Sequence, residues 1–151
     1  MKKTMTIFGA ILFASFMLTS CGGGDSTDDV VPTDDVVPKN IHGGIVVYEQ
    51  NGNGLVAATS DLGAMDWNSA KTACDTLILN GFSDWRLPTK EELNAVYSNL
   101  YKKGVGGFAG YFYWSSNEFS SSHAWNQGFD GGVQYGSFKN NKYNVRAVRA
   151  F

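Results

Sequence analysis

The stretch GFSDWRLPTKEEL, residues 81–93, decides how the middle of this chain folds. Thr89 is followed three residues later by Glu92, which is the spacing of a capping box, and Pro88 restricts the backbone just before it. This pattern predicts that a helix begins directly after Thr89. The residues before Thr89 then form an irregular connection that leads into the helix.

The connection SDWRLP carries two charged side chains between its apolar ones. Trp85 and Leu87 are expected to be buried between neighbouring elements. Arg86 is expected to pair with a carboxylate or to donate to nearby carbonyls, and Asp84 to accept hydrogen bonds from turn amides. The stretch offers neither a nucleophile nor a general base, so we interpret it as a structural joint.

Helices are predicted on both sides of this joint. The first is MDWNSAKTACDTLILNG, residues 65–81, in which Asp66 can cap the start and Gly81 lies just past the end. Its apolar residues recur at helical spacing and are Trp67, Ala70, Cys74, Leu77 and Ile78. The second is KEELNAVYSNLYKKG, residues 90–104, and its predicted inner face consists of Leu93, Val96, Tyr97 and Leu100.

Strands are predicted before and after the two helices. The apolar runs IVVYE and LVAAT flank NGNG at 51–54, and Asn-Gly is a strong hairpin signal. The last third contains four short segments rich in aromatic and β-branched residues, YFYWSS, HAWNQGF, VQYGSF and YNVRAVRAF. Asp130-Gly131 predicts a hairpin between the middle two. Residues 41–151 are therefore predicted to form one α+β domain, with two helices packed on antiparallel sheets.

The first forty residues have the features of a lipoprotein leader followed by a tether. A positively charged start precedes an apolar run at 7–18, which is shorter than the roughly 20 residues of a transmembrane helix. LTSC resembles the bacterial lipobox, which implies that residues 1–20 are a signal peptide and that Cys21 carries the lipid. The repeated DDVVPT and DDVVPK predict that residues 21–40 form a flexible acidic tether.

These features predict a protein of the cell envelope, attached to the membrane through its N-terminal lipid. We expect it at the outer membrane, facing either the periplasm or the cell surface. From Ile41 onward nine acidic and nine basic residues balance, so the domain has no basic field for nucleic acid. We therefore expect no nucleic-acid partner.

The sequence contains few of the residue groupings that catalysis or metal binding requires. With Cys21 assigned to lipid, Cys74 has no disulfide partner and is predicted to be a small core residue. Calcium requires several clustered oxygen ligands, and the late loops offer Glu118 and Asp130, twelve residues apart. The run SSSH, ending at His123, lacks an identified orienting acid. We therefore expect no catalytic residue, no metal site and no cofactor.

Recognition of a ligand is the function that the sequence favours. Residues 111–138 interleave aromatic rings, which stack on sugar rings or flat side chains, with amides, which supply directional hydrogen bonds. Trp67 and Trp114 are assigned to the core, whereas Trp125 fits core or surface equally well. The candidate ligand-binding residues are Trp125, Asn126, Gln127, Asn117 and Tyr135.

The segment HAWNQGF illustrates why this choice stays open. Alternation along a strand places Trp125, Gln127 and Phe129 on one face and Ala124, Asn126 and Gly128 on the other. Only one face is buried if the strand lies on the outside of the domain. The alternative function is a structural envelope module without a small ligand, whose aromatic residues form the core. Exposed aromatic residues within 111–138 would favour recognition.

The order of elements, together with particular residues, resembles the Lcl C-terminal domain family, a bacterial domain of unknown function. The resemblance covers nearly all of residues 43–151. The residues that carry it are Trp67, Ala70 and Cys74, the stretch GFSDWRLPTKEEL, YWSS at 113–116, Ala124-Trp125 and VRAVR at 145–149.

This resemblance implies a C-type-lectin-like fold and non-catalytic recognition of a glycan or protein ligand at the cell surface. Some members resemble adhesins that bind glycosaminoglycans, and the neutral charge of this domain departs from such a binder. Arg146 and Arg149 lie three residues apart and would point to opposite faces of a regular strand. We therefore interpret them as structural partners of buried carboxylates and not as a patch that binds a polyanion.

Overall fold

The computed structural model describes residues 41–151, which contain two helices and two sheets. This arrangement confirms the predicted α+β class. The signal peptide, the lipidated Cys21 and the acidic tether lie outside the described residues. After a 3-10 turn at Ile41–Gly43, the elements are β1 (Ile45–Gln50), β2 (Asn53–Ala57), β3 (Ala64–Met65), α1 (Trp67–Asp75), α2 (Lys90–Asn99), β4 (Phe112–Glu118), β5 (His123–Gly128), β6 (Gln134–Phe138), β7 (Tyr143–Asn144) and β8 (Val148–Ala150). Within 41–151, neither helix has the length and apolar character needed to cross a membrane.

The strands are divided between a three-stranded sheet and a five-stranded sheet. The first has the order β1-β2-β8 and the second the order β3-β7-β4-β5-β6. Both predicted hairpins are confirmed, since β1 pairs with β2 and β5 with β6, each antiparallel. The prediction of purely antiparallel sheets is wrong at one place, because β7 runs parallel to β4 where Tyr113 pairs with Asn144.

The C-terminal segment YNVRAVRAF was predicted to form one strand. It instead contributes a strand to each of the two sheets. Its first residues form β7 and its last form β8, which pairs with β2. The intervening backbone bonds instead to the loop that follows β2. Ala58 donates to the Ala147 carbonyl at 2.9 Å, and Leu62 donates to the Val145 carbonyl at 2.9 Å. These hydrogen bonds hold residues 145–147 in place where the chain passes from one sheet to the other.

Helix α1 begins where the sequence predicts and ends earlier. Asp66 caps its start, since its Oδ1 accepts from the Ser69 N–H at 3.0 Å. The helix stops at Asp75, six residues before Gly81. Asn80 and Gly81 both have positive φ and form a tight turn, as Asn-Gly pairs favour. This turn follows the helix and joins Leu79 to Phe82, whose backbones exchange hydrogen bonds of 3.0 and 3.1 Å.

The early end of α1 changes the predicted inner face of that helix. Trp67, Ala70 and Cys74 are buried as expected. Ile78, which was predicted to lie beside them, is 76% exposed because it follows the helix and no longer keeps the helical spacing. Cys74 is fully buried, which confirms that it is a core residue, and this burial raises the pKa of its thiol to about 12.

The stretch 81–93 is the joint that the sequence predicts. The Thr89 hydroxyl accepts from the Glu92 N–H at 3.2 Å, and the Glu92 carboxylate accepts from the Thr89 N–H at 2.8 Å, which completes the capping box. The backbone of Arg86 exchanges two hydrogen bonds of 2.9 Å with Val148 in β8, and the Pro88 carbonyl accepts from Ser116 in β4 at 2.8 Å. The joint therefore connects α2 to both sheets.

The charged residues of the joint are paired. Arg86 donates to both oxygens of Glu92, at 2.6 and 2.7 Å. Burial raises the pKa of Glu92, but the hydrogen bonds from Arg86 and Thr89 outweigh burial and hold it below its usual value. Asp84, which was predicted to accept from turn amides, accepts from the Arg149 guanidinium at 2.7 and 3.0 Å. Arg149 can reach Asp84 because the joint runs alongside β8.

Two hydrophobic clusters form the core. One contains three tryptophans, Trp67, Trp85 and Trp114, and the other includes Leu93 and Phe129. The indole N–H of Trp67 donates to the carbonyl of Ser115 at 2.7 Å, and that of Trp114 donates to the carbonyl of Met65 at 2.9 Å. Buried indoles need such partners, and these confirm that Trp67 and Trp114 belong to the core.

An ion pair inside the domain ties two loops together. The Arg146 guanidinium contacts Asp61 at 2.6 Å and donates to the carbonyls of Ala58 and Gly106, each at 2.9 Å. The Tyr113 hydroxyl donates to the other oxygen of Asp61 at 2.8 Å, and its burial together with this bond raises the pKa of Tyr113. Arg146 and Arg149 both pair with carboxylates, as predicted, but the side chain of Asp84, the partner of Arg149, is 57% exposed and not buried as predicted.

Candidate functional site

The five residues that the sequence proposed as a ligand-binding site do not form one surface. Trp125 and Gln127 lie on one face of β5, whereas Asn126 lies on the other. Tyr135 stands opposite Asn126 in the register of β5 and β6, so it shares the face of Asn126. Asn117 lies near the end of β4, where its Oδ1 accepts from the Lys90 N–H at 2.7 Å and helps to cap α2.

Two of the five residues are buried, which corrects the prediction that they bind a ligand at the surface. Asn126 is 1% exposed and Gln127 is 0% exposed. The Gln127 amide donates to Asn94 of α2 and to the Gly132 carbonyl, both at 2.9 Å, and the Asn126 amide donates to the Tyr135 carbonyl at 3.1 Å. These amides therefore position α2 and the β5–β6 turn.

The reason for this burial is the position of β5 in the sheet. The strand lies between β4 and β6 and is not at an edge. On one face α2 covers it through Gln127, and on the other Asn126 lies beside Trp114, which is fully buried. The sequence analysis considered that one face of HAWNQGF is exposed to solvent. In the structure, both faces of most of this strand are covered.

A concave surface lies on the face of the five-stranded sheet that carries Tyr135. It has a volume of 270 Å³ and is lined by Ala64, Tyr111, Phe112, Lys142, Tyr143 and Asn144. We call this surface the aromatic cleft. The parallel pairing of β7 with β4 creates it, since that pairing places Tyr143 beside Phe112.

The aromatic cleft combines a fixed ring with an exposed one. The Phe112 ring contacts the rings of Tyr143 and Tyr135, with centroids 5.1 and 5.9 Å apart, and lies over Gly128, where a side chain would approach it to 3.1 Å. Tyr111 is 72% exposed. Fixed and exposed rings together give a ligand a stacking surface with little rearrangement.

Polar groups also line the aromatic cleft. The Lys142 ammonium contacts Asp66, the cap of α1, at 2.8 Å, and this hydrogen bond lowers the pKa of Asp66 well below its usual range. Asn144 supplies an amide to the lining. Stacking rings next to an amide and an ammonium can hold a polyhydroxylated ring through directional hydrogen bonds.

A second group of aromatic residues, which we call the aromatic patch, lies on the opposite face of the sheet. It consists of Phe119, His123, Trp125 and Phe138. Phe119 contacts Trp125 edge-on with centroids 4.9 Å apart, and the Lys90 ammonium lies 3.6 Å from the Trp125 ring centre. The side chains of Phe119 and Lys90 therefore partly cover the Trp125 ring.

His123 and the serines before it are the nearest approach to a catalytic grouping in the described part of the chain. His123 has its Nδ1 at 3.1 Å from the Ser120 hydroxyl and at 2.9 Å from the Ser122 hydroxyl. Within residues 41–151, no three side chains of histidine, cysteine, aspartate or glutamate are grouped to hold a metal ion. The aromatic cleft itself is lined by aromatic rings, an amide and an ammonium group.

Sequence reasoning missed most of the aromatic cleft. Tyr111 and Phe112 were recognised as part of an aromatic region, but Tyr143 and Asn144 were assigned only to a terminal strand. The available signal was the alternation in β4, which places Phe112 and Trp114 on one face. The parallel contact that brings β7 to this face has no local signal.

Comparison with known proteins identifies one family. Residues 46–149 match the model of the Lcl C-terminal domain, which covers more than half of the chain and nearly all of its described part. A search of the curated proteins found no match to this chain.

Proposed function

The chain belongs to the Lcl C-terminal domain family, and from that premise we propose that it is a lipid-anchored envelope protein whose domain recognises a ligand without catalysis. The domain is C-type-lectin-like in this proposal. It binds a glycan in the aromatic cleft, at the outer membrane, and the acidic tether separates it from the lipid. It needs no cofactor and binds no nucleic acid.

The observation that supports recognition most directly is the exposure of aromatic rings around a concave surface. A domain that used its aromatic residues only for its core would bury them, as it does Tyr113, Trp114 and Phe129. Tyr111 and Phe112 are instead exposed and line the aromatic cleft. Exposed rings grouped with polar side chains are typical of binding sites.

A glycan suits the aromatic cleft better than a strongly charged ligand. Lys142 is already paired with Asp66, so it does not provide an uncompensated charge. Acidic and basic residues balance over the domain, which leaves no field to attract a polyanion. Stacking and amide hydrogen bonds are what remain, and both suit the apolar face and hydroxyl groups of a sugar ring.

We expect Tyr111→Ala to weaken glycan binding by roughly tenfold, which corresponds to the loss of one aromatic stacking contact. The full chain would be applied to an array of neutral and acidic oligosaccharides, and the affinity for the best-retained one would be measured by titration calorimetry. Tyr111 is highly exposed, so this substitution should leave the unfolding midpoint unchanged.

The matched control for this experiment is Phe119→Ala, because Phe119 is also exposed but belongs to the aromatic patch on the other face. It should leave the affinity unchanged. Equal losses from the two variants would show that the aromatic cleft is not the site. If no oligosaccharide is retained, glycan recognition is wrong.

The anchor is tested separately from the domain. Cys21→Ala is expected to abolish incorporation of a labelled fatty acid into the protein in growing cells, because the residue that carries the lipid is removed. Phase partitioning would not report this loss, because without Cys21 the apolar run at 7–18 stays attached. Ser20→Ala, which keeps a small residue before the cysteine, is the control and should still be labelled. Labelling of Cys21→Ala equal to that of the unsubstituted chain would refute lipidation at this residue.

The alternative is a structural module of the envelope without a small ligand. It is favoured by the burial of Asn126 and Gln127, whose amides serve the fold. Under this alternative, Tyr111→Ala changes neither binding nor stability, and the array retains nothing. Recognition and the structural alternative therefore give opposite results in the same experiment.

A further inference from the structure

Strand β6 (Gln134–Phe138) is an edge of the five-stranded sheet, and it lacks the protection that edge strands ordinarily have. Between Gly131 and Phe138 the sequence GGVQYGSF contains no charged residue and no proline. The pairing of β6 with β5 continues without a bulge from Gln134 to Phe138. Val133 and Phe138, at the two ends, are more than half exposed.

The other strand edges in the described residues are each short, irregular or covered. Strand β3 has two residues. Strand β1 has a register irregularity between Val46 and Tyr48 and carries Glu49. Strand β8 is bonded on its outer side by the backbone of Arg86. Strand β6 is thus the edge on this part of the molecule that is open to another strand.

The hydrogen bonds of β6 identify the groups that point outward. Gly128 in β5 donates to the Val133 carbonyl at 2.9 Å, so Val133 and every second residue after it face β5. The backbone groups of Gln134, Gly136 and Phe138 therefore point away from the sheet. The Phe138 carbonyl accepts from Asn141 at 3.0 Å in the following turn, which leaves its N–H directed outward.

We propose that β6 pairs with β6 of a second copy of this chain, antiparallel and centred on Gly136. In this arrangement Gly136 donates to and accepts from Gly136 of the other copy. The Phe138 N–H of each copy donates to the Gln134 carbonyl of the other. The two five-stranded sheets then form one continuous sheet across a two-fold axis. The inference concerns self-association and is independent of the ligand proposed above.

A second copy is the occupant because the edge is complementary to itself. Tyr135 lies opposite Ser137, and Gln134 opposite Phe138, so no like charges oppose each other. At the centre Gly136 has no side chain, and the Phe119 ring packs where one would be, with a carbon 2.6 Å from the Cβ position. The two backbones can therefore approach at the axis without side chains from Gly136 between them.

The register of this pairing is tested by disulfide formation between two tagged variants of the full chain. Both carry Cys21→Ala, which leaves Cys74 as the one native cysteine, and Cys74 is fully buried. Tyr135→Cys is mixed with Ser137→Cys, because these positions are directly opposite, about 4.5–5.5 Å apart. The control mixture is Val133→Cys with Ser137→Cys, whose positions are diagonal at about 7–8 Å and beyond disulfide reach.

We expect the first mixture to give severalfold more disulfide-linked dimer between differently tagged chains than the control mixture. Sedimentation velocity on the unsubstituted full chain in detergent should show a dimer whose fraction rises with concentration. Equal yields from the two mixtures would refute the register. A monomer at every concentration would refute the pairing, even if the edge then bound an extended peptide.

Discussion

Trp85→Ala is expected to lower the free energy of unfolding by about 3–5 kcal/mol, the range for large aromatic residues removed from a core. Trp85 is buried in the cluster that also holds Trp67 and Trp114. Its ring lies so close to Gly44 that a methyl group there would be 3.0 Å away, so neighbouring groups fit the ring tightly. Urea denaturation followed by far-ultraviolet circular dichroism measures the loss.

Two controls separate the position of Trp85 from the chemistry of tryptophan. Trp85→Phe keeps an aromatic ring and should cost clearly less, because the remaining cavity is smaller. Trp125→Ala removes the same side chain from a partly exposed place in the aromatic patch and should also cost less. If Trp125→Ala proved as destabilising as Trp85→Ala, the complete burial of Trp85 would not be the reason for its loss.

Arg146→Met is expected to cost about 3–5 kcal/mol, because it leaves the Asp61 carboxylate without its cationic partner. The carbonyls of Ala58 and Gly106 would also lose a donor. Methionine keeps much of the apolar stem, so the effect reports the ion pair and its hydrogen bonds. The same denaturation experiment measures it.

The chain supplies a matched control for this variant in Arg149→Met. Arg149 also pairs with a carboxylate, but the side chain of Asp84 is 57% exposed and water can replace the guanidinium. We expect a loss of about 1 kcal/mol there. Adding Asp61→Asn to Arg146→Met should recover part of the stability, because no unpaired charge remains. A double variant less stable than the single one would contradict the role of Asp61.

Several elements were predictable because their signals are local. Thr89 and Glu92 are three residues apart and satisfy each other's backbone, so the start of α2 depends on neighbours in the chain. The turns at 51–54 and at Asp130-Gly131 likewise bring adjacent segments together. The end of α1 was misplaced because Gly81 was taken as the residue just past it, whereas the helix ends at Asp75.

The candidate site was less predictable because it depends on which strands become neighbours. Trp125, Asn126 and Gln127 are adjacent in sequence, yet β5 is interior, and burial takes two of them out of reach of a ligand. Tyr143 lines the aromatic cleft only because β7 lies beside β4. No periodicity in the sequence specifies that parallel contact.

The sequence by itself determined the class of the fold, the capped helix, the hairpins and the core tryptophans, because alternation, helical spacing and turn chemistry act over a few residues. It also indicated that Arg146 and Arg149 need carboxylate partners. Only the tertiary structure decided which carboxylates these are and which aromatic rings remain at the surface. Those choices follow from contacts between residues far apart in the chain, such as Asp61 with Arg146, whose free energy is gained only when the whole domain has assembled.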